Sequence, residues 1–178
     1  MSQEKKDYFV AYFDGACDGT GKDVGIGAFI LNPYRQQIFS VSKLIPADKL
    51  NFQTSCNAAE YLALIEVLGF FSQNISPDNK IIICGDSNLV INQMNLHWKC
   101  KEGTYKQYYL EAMNLKNKFP LIDFKWIPRE LNTRADELSK KVKKTAKTTN
   151  YRIYPRNIRY SYSNLERELQ TMINLPYT

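Results

Sequence analysis

One run of the sequence limits the possible folds more than any other: Ile81–Gly85 carries no polar side chain and ends at Asp86. Because the run does not alternate between polar and apolar residues, it predicts a strand covered on both faces, as in a parallel sheet enclosed by helices. A carboxylate directly after such a strand lies at the sheet edge where α/β proteins place their ligands. The run therefore predicts an α/β protein with a polar site at that edge.

Apolar patterning and turn residues divide the rest of the chain into short elements. The first helix is apolar almost all round, which predicts a buried helix, and Thr54 or Ser55 caps it. The element order βββαβααβα predicts a five-stranded mixed sheet, with its first three strands antiparallel and helices on both faces. Strands are predicted at 8–14, 25–32, 37–45, 80–86 and 122–128, and helices at 54–74, from 87, at 104–119 and at 132–144.

Length and composition exclude several classes of protein. The 178 residues suit one domain, which we place at 1–147, followed by a Tyr- and Asn-rich extension at 148–178. No apolar run approaches the roughly 20 residues that span a membrane, and the first residues lack the apolar segment of a secretory signal. We therefore expect a free-standing protein of an intracellular, reducing compartment, either cytoplasm or nucleus, with an organelle as the alternative. It is expected to be a monomer unless it is docked in an assembly.

Cysteine and histidine usage narrows the possible chemistry further. Four scattered cysteines without C-x-x-C spacing argue against structural zinc, and free thiols are expected. His97 is the single histidine of the chain, and we interpret it as a surface residue. Histidine-based catalytic triads and multi-histidine metal sites are thereby excluded.

The positive charge is concentrated near the end of the chain. The net charge is +6, yet residues 139–160 hold eight basic residues and no acidic one, which leaves 16 basic against 18 acidic residues elsewhere. This asymmetry predicts a nucleic-acid or acidic protein partner for the extension, while a solvated surface segment remains the alternative.

Four carboxylates occupy positions that an ordinary core would not give them. Asp14 and Asp86 each end an apolar strand, and Glu60 continues the core stripe of the first helix. Asp136 lies in the first turn of the last helix, beside apolar residues. Turn formation, helix capping, the helix dipole or an unseen lysine partner could explain each residue alone.

One shared cause explains all four acids better than four separate ones. Carboxylates held together repel and raise each other's pKa, and two divalent cations would balance four such charges. Oxygen ligands without His or Cys select Mg²⁺, with Mn²⁺ as a substitute. Paired ions of this kind support phosphodiester hydrolysis. The sequence therefore predicts a two-metal site formed by Asp14, Glu60, Asp86 and Asp136.

At these residues the chain resembles the type 1 ribonuclease H family, which cleaves the RNA strand of RNA–DNA hybrids. The resemblance runs from about residue 8 to 142 and rests on four segments in order: YFDGA, CNAAEYLAL, CGDSNLVINQM and WIPRELNTRADELS. It implies a ribonuclease H-like fold, a hybrid substrate and the four acids as metal ligands. Arg129 stands where bacterial members carry a loop histidine, which is similar to an archaeal- and plant-like branch.

The resemblance also implies a set of substrate contacts. Asn57 would read ribose 2′-hydroxyls, Ser55 would receive a DNA-strand phosphate, and the turn after Asp14 would contact RNA mainly through its backbone. Trp98 and Lys99 are candidates for DNA-strand contact, and core packing is the alternative for Trp98. The full set is Gly15, Ala16, Cys17, Ser55, Cys56, Asn57, Ser87, Asn88, Trp98, Lys99 and Asn132, with Gly19 and Thr20 in the turn.

Hybrid-specific endoribonuclease activity is the leading interpretation, and three others stay open. A catalytically silent module of the same fold would bind nucleic acid or scaffold an assembly, but such modules usually lack one of the acids. A 3′–5′ exonuclease of related fold would need an acid two residues after Asp14, where Ala16 stands. The third alternative is the ribonuclease domain of a reverse transcriptase.

Overall fold

The computed structural model describes residues 7–17, 23–46, 50 and 55–144. Its centre is a five-stranded sheet in the spatial order β3-β2-β1-β4-β5. The five strands are β1 (Tyr8–Ala16), β2 (Val24–Leu31), β3 (Gln37–Ile45), β4 (Lys80–Gly85) and β5 (Ile122–Trp126). The predicted order of elements and the mixed sheet are confirmed.

Four α-helices accompany the sheet: α1 (Cys56–Asn74), α2 (Asn88–Met94), α3 (Lys106–Lys116) and α4 (Thr133–Lys144). Ser55 is the N-cap of α1, since its hydroxyl oxygen accepts a 3.1 Å hydrogen bond from the Ala58 N–H. A short 3₁₀ helix at Arg129–Leu131, which the sequence did not predict, leads into α4.

Strand pairing changes direction at β1. This strand is antiparallel to β2, and β2 is antiparallel to β3. On its other side β1 is parallel to β4, which is in turn parallel to β5. The apolar run Ile81–Gly85 therefore has a parallel neighbour on each side and is buried throughout, as its sequence predicts. The carboxyl ends of β1, β4 and β5 consequently meet at one edge of the sheet.

Helices cover both faces of the sheet because successive strand side chains point to opposite faces. On one face, Ala11 and Phe13 of β1 belong to a core cluster shared with α1 and α3. On the other, Val10 and Tyr12 belong to a second cluster that includes Ala135 of α4. The central strand β1 is therefore packed on both faces. This packing also fixes the position of Asp14, which follows the apolar segment of β1.

Two glycines let helices approach the sheet at the point where β1 ends. A Cβ at Gly15 would lie 2.2 Å from the Ala59 carbonyl carbon of α1, and one at Gly27 would lie 2.3 Å from the Ser139 nitrogen of α4. Any side chain at either position would force a helix away. Since Gly27 pairs with Asp14 across the sheet, both approaches occur beside the same carboxylate.

Some predictions concern residues that the structure does not describe. Thr54, Thr20, Gly19 and the whole 148–178 extension lie outside the described residues, so the proposed domain boundary remains a prediction. Within the described part of the chain, no helix is both long enough and apolar enough to cross a lipid bilayer.

Candidate active site

Three of the four predicted carboxylates converge at the edge where β1 and β4 end. Asp14, Glu60 and Asp86 each offer a carboxylate oxygen, and these atoms all lie within 4.8 Å of one another. Asp14 comes from β1, Glu60 from the first turns of α1, and Asp86 directly follows β4. The group could hold a metal ion, because closely spaced carboxylate oxygens are the ligands that Mg²⁺ and Mn²⁺ prefer.

The electrostatics of the cluster favour a bound cation. Burial, together with the charges of Asp86 and Asp136, raises the pKa of Asp14 to about 6, against the opposing hydrogen bond from Ser139. Burial, together with the charges of Asp14 and Asp86, raises the pKa of Glu60 well above its usual range. Without a cation these two carboxyls favour the protonated form, and a nearby positive charge would favour the ionised form.

Backbone and amide groups orient two of the acids. The Gly15 N–H donates to Glu60 Oε2 at 3.1 Å, so no lysine partner is needed to explain a glutamate in this core stripe. The Asn132 Nδ2 donates to Asp86 Oδ1 at 2.6 Å and to the Phe13 carbonyl at 2.9 Å. Asn132 is 1% exposed, which places it behind the cluster as a brace for Asp86.

Asp136 lies near the cluster but is not one of the three converging acids. Its two carboxylate oxygens each accept a 2.6 Å ion-pair contact, one from Arg129 and one from Lys140. Burial acts to raise the pKa of Asp136, but the hydrogen bonds from Lys140 and Arg129 outweigh it and hold the pKa below its usual value. Two cationic side chains therefore occupy the oxygens that the sequence assigned to metal.

Several predicted substrate contacts are neighbours in sequence of Asp14 and Glu60. Gly15 and Ala16 end β1, Cys17 follows it, and all three are partly exposed, as is Asn57 in the first turn of α1. The Ser55 hydroxyl oxygen is engaged as the helix cap, and the Thr104 hydroxyl donates to it at 3.4 Å.

The prediction of four free thiols is wrong for two of them. Cys17 and Cys56 form a disulfide with their Cα atoms 5.2 Å apart, while Cys84 and Cys100 are free. The bond links the end of β1 to the first residue of α1, two segments that lie far apart in sequence and adjacent in the fold. The Cys56 side chain, predicted as a substrate contact, is thus bonded to Cys17.

A second set of predicted contacts lies around α2 and the segment after it. Ser87 is the N-cap of α2, and Asn88 is exposed in its first turn. Trp98 is 47% exposed, so core packing does not account for it, and Lys99 is exposed as well. His97 is exposed, as predicted.

A buried network fixes the position of that segment. The Tyr61 hydroxyl of α1 donates to Gln93 Oε1 at 2.7 Å, and Gln93 Nε2 donates to the Lys99 carbonyl at 3.3 Å. Gln93 is 2% exposed, so this pair of hydrogen bonds crosses the core. The backbone at Lys99, next to Trp98, is therefore linked through Gln93 to α1, the helix that carries Glu60.

Sequence reasoning missed two residues beside the acids. The Ser139 hydroxyl of α4 donates to Asp14 Oδ2, and the half-exposed Trp126 donates from Nε1 to the Asp86 carbonyl at 3.1 Å. Ser139 follows Asp136 by three residues and so lies one helical turn further along. Nothing in the sequence alone joins it to Asp14, from which it is separated by 125 residues.

Comparison with known protein families shows to which family this chain belongs. The sequence profile of the reverse transcriptase-like family matches residues 12–142. The chain belongs to the reverse transcriptase-like family. Its five-stranded sheet and helices have the ribonuclease H-like arrangement seen in solved relatives, which confirms the resemblance and the fold predicted from the sequence.

Two solved structures illustrate this family relationship. LC11-RNase H1, determined in complex with an RNA/DNA hybrid, is 30% identical, with a TM-score of 0.68 over 78% of this chain and 99% of the other. RNase H1 from the archaeon Halobacterium salinarum is 26% identical, with a TM-score of 0.67 over 77% of this chain and 98% of the other.

A curated relative shows that the same family unit can be part of a longer protein. The bifunctional protein Rv2228c of Mycobacterium tuberculosis is 30% identical over 126 residues, which are 71% of this chain and 33% of that protein. The chain thus spans about a third of the length of that family member.

Proposed function

We propose that this protein is a metal-dependent endoribonuclease that hydrolyses the RNA strand of RNA–DNA hybrids. The observation that carries the proposal is the convergence of Asp14, Glu60 and Asp86 within 4.8 Å at the carboxyl ends of β1 and β4. The similarity to LC11-RNase H1, solved with an RNA/DNA hybrid, supports the choice of substrate.

The proposed metal ligands are Asp14, Glu60, Asp86 and Asp136, and the proposed cofactor is two Mg²⁺ ions, for which Mn²⁺ substitutes. Such ions, when bound, supply an activated water and stabilise the leaving oxygen. The donor set fits them, since it offers carboxylate oxygens and neither sulfur nor imidazole. Gly15 and Asn132 hold Glu60 and Asp86 by hydrogen bonds before any ion arrives.

Asp136 and Arg129 would act together at the border of the site. As a fourth ligand, Asp136 would exchange its contacts with Arg129 and Lys140 for metal contacts. The hydrogen bond that Arg129 donates to Asp136 raises the pKa of Arg129, so this guanidinium keeps its proton. We therefore assign Arg129 a role in stabilising negative charge on the substrate or product, and no role as a proton donor.

Recognition of the hybrid would divide between the two strands. Asn57 and the β1 end at Gly15–Cys17 are assigned to the RNA strand, with Asn57 reading 2′-hydroxyls. The DNA strand is assigned to Trp98 and Lys99, whose exposure suits stacking and phosphate contact. Ser55 is assigned to a DNA-strand phosphate and Ser87 and Asn88 to substrate contact, and the partner of the 148–178 extension is assigned as nucleic acid.

A cleavage assay tests this proposal directly. End-labelled RNA–DNA hybrid, single-stranded RNA and double-stranded RNA of the same sequence are incubated with Mg²⁺, with Mn²⁺ and with EDTA. We expect internal cuts in the RNA strand of the hybrid alone, and only when a divalent ion is present. Tight hybrid binding without cleavage in either metal would contradict the proposal and indicate a silent nucleic-acid-binding module.

A further inference from the structure

A serine hydroxyl reaches into the acid cluster from the opposite face of the sheet. Ser139 of α4 is 0% exposed, and its hydroxyl donates to Asp14 Oδ2. Asp14 is itself only 4% exposed, so neither group has much access to water. A hydrogen bond to a buried charged group contributes more than an ordinary one, because no water can replace the donor.

The close approach of α4 to the sheet makes this contact possible. Gly27 pairs with Asp14 across the sheet, and a Cβ at Gly27 would lie 2.3 Å from both the Ser139 nitrogen and the Ala135 carbonyl oxygen. Because Gly27 has no side chain, α4 lies directly against β2. A short serine side chain can then reach the carboxylate of the neighbouring strand.

The hydroxyl has two acceptors but a single proton. Besides Asp14, the Ser139 oxygen lies 2.8 Å from the Asp136 carbonyl oxygen one turn earlier in the helix. A carboxylate is a stronger acceptor than a helix carbonyl. The proton therefore points to Asp14 in preference to the Asp136 carbonyl.

We propose that Ser139 is a positioning residue for Asp14, which it holds in the orientation that faces Glu60 and Asp86 for metal binding. This inference rests on the proposed function only in taking the three acids as metal ligands. Partners that orient a ligating carboxylate typically change metal affinity 10–100-fold when they are removed. Ser139 links α4 to the cluster in this way, although its own oxygen needs no contact with the ion.

Metal binding by the purified protein provides the test. The affinity of the metal-free protein for Mn²⁺ is measured by isothermal titration calorimetry for wild type, Ser139→Ala and Ser42→Ala. Ser42 is a matched control, because its hydroxyl also donates to α4, at the Leu138 carbonyl 2.6 Å away, but not to an acid. We expect Ser139→Ala to weaken Mn²⁺ binding about 10-fold or more and Ser42→Ala to leave it unchanged.

Further variants separate positioning from a general loss of packing. In an Asp14→Asn background, Ser139→Ala should leave the remaining Mn²⁺ affinity unchanged, because the group that it orients is absent. If Ser139→Ala does not fold, Ser139→Cys keeps a donor of similar size and should weaken Mn²⁺ binding to a smaller extent. Wild-type Mn²⁺ affinity in the folded serine variant, or an equal loss in Ser42→Ala, would overturn the proposal.

The outcome is independent of hybrid cleavage. If wild type binds Mn²⁺ but cuts no hybrid, the proposed function fails while the role of Ser139 is still decided by the affinities. If wild type cuts hybrids and Ser139→Ala binds Mn²⁺ like wild type, the positioning role alone fails.

Discussion

At the scale of single residues, forming the acid cluster costs free energy of folding. Asp14 is buried and Glu60 is partly buried, and the pKa values of both carboxyls lie above their usual range, which means that the folded protein without metal favours their neutral forms. An uncompensated buried charge typically costs several kcal/mol. Such a cost is characteristic of functional sites, and here a bound cation would remove it.

The stability of the metal-free protein should therefore rise on mild acidification. The folded-state pKa of Asp14, about 6, exceeds its unfolded value, so the folded state binds the proton more tightly. Between about pH 6.5 and about pH 4.5 this residue alone should increase the free energy of unfolding by about 2 kcal/mol, with Glu60 acting in the same direction. Urea unfolding in EDTA measures the change. Asp14→Asn should show a smaller increase, and a fall in wild-type stability over this range would contradict the assignment.

Asn57 should contribute to discrimination between RNA and DNA more than to metal binding. Its proposed contact is a hydrogen bond to a ribose 2′-hydroxyl, and it lies partly exposed one helical turn before Glu60. Asn57→Ala should lower the penalty that 2′-deoxy substitutions near the scissile position impose on the cleavage rate. Its Mn²⁺ affinity should match wild type. If the cleavage rate of the variant depended on these hydroxyls as strongly as that of wild type, the assignment of Asn57 would be wrong.

At the scale of secondary-structure elements, local sequence patterns predicted the elements themselves but not the contacts between residues distant in sequence. The order of elements, the parallel strand at Ile81–Gly85 and the placement of Asp14 and Asp86 at one edge follow from apolar runs and from the geometry of sheets. The hydrogen bond from Ser139 to Asp14 and the Cys17–Cys56 disulfide depend on how α4 and α1 pack against the sheet. No local pattern records that docking.

Asp136 shows the same limit within a single element. Its place in the first turn of α4 is readable from the sequence, and Lys140 follows at the i,i+4 spacing of an ion pair in the same helix. Its contact with Arg129, however, requires the path of the preceding 3₁₀ helix. Asn132, predicted as a substrate contact, is instead buried behind Asp86. Residue type and spacing therefore located these side chains without specifying what they contact.

The disulfide should stabilise the link between β1 and α1. It joins residues 39 positions apart, and closing a loop of this length corresponds to about 4 kcal/mol in the chain-entropy model. In non-reducing buffer, the Cys56→Ser variant should have a free energy of unfolding lower than that of wild type by much of this amount. A dithiol reductant should lower the free energy of unfolding of wild type to that of the variant. Cys100→Ser is the control, since Cys100 is free. Equal unfolding free energies for wild type with and without reductant would contradict the bond.

At the scale of the whole molecule, charge is separated along the chain. The acid cluster lies at the sheet edge, whereas eight basic residues fall within 139–160 and directly follow the start of α4. A polyanion approaching the acids would meet repulsion there and attraction from the basic segment. We therefore expect this segment to contribute affinity through phosphate contacts and to leave the chemistry unchanged.

Truncation after Val142 should weaken hybrid binding at moderate salt. Each phosphate that the shortened chain no longer neutralises should reduce the slope of log affinity against log salt by about 0.7–0.9, so the slope should flatten by a few units. The cleavage rate at saturating hybrid should change little. Truncation after Tyr160 keeps the basic segment and is the control. An unchanged slope in the shorter variant, with loss of a protein partner, would indicate a docking arm instead.

The claim that the converging acids catalyse hybrid cleavage has one most direct test. Single-turnover cleavage of a labelled RNA–DNA hybrid in Mg²⁺ is compared between wild type and Asp14→Asn, with hybrid affinity and thermal unfolding measured on the same samples. We predict that the variant folds at least as stably, binds the hybrid, and shows no detectable cleavage, because it relieves repulsion among the acids and removes a metal ligand. Cleavage by folded Asp14→Asn at a rate near wild type would contradict the account.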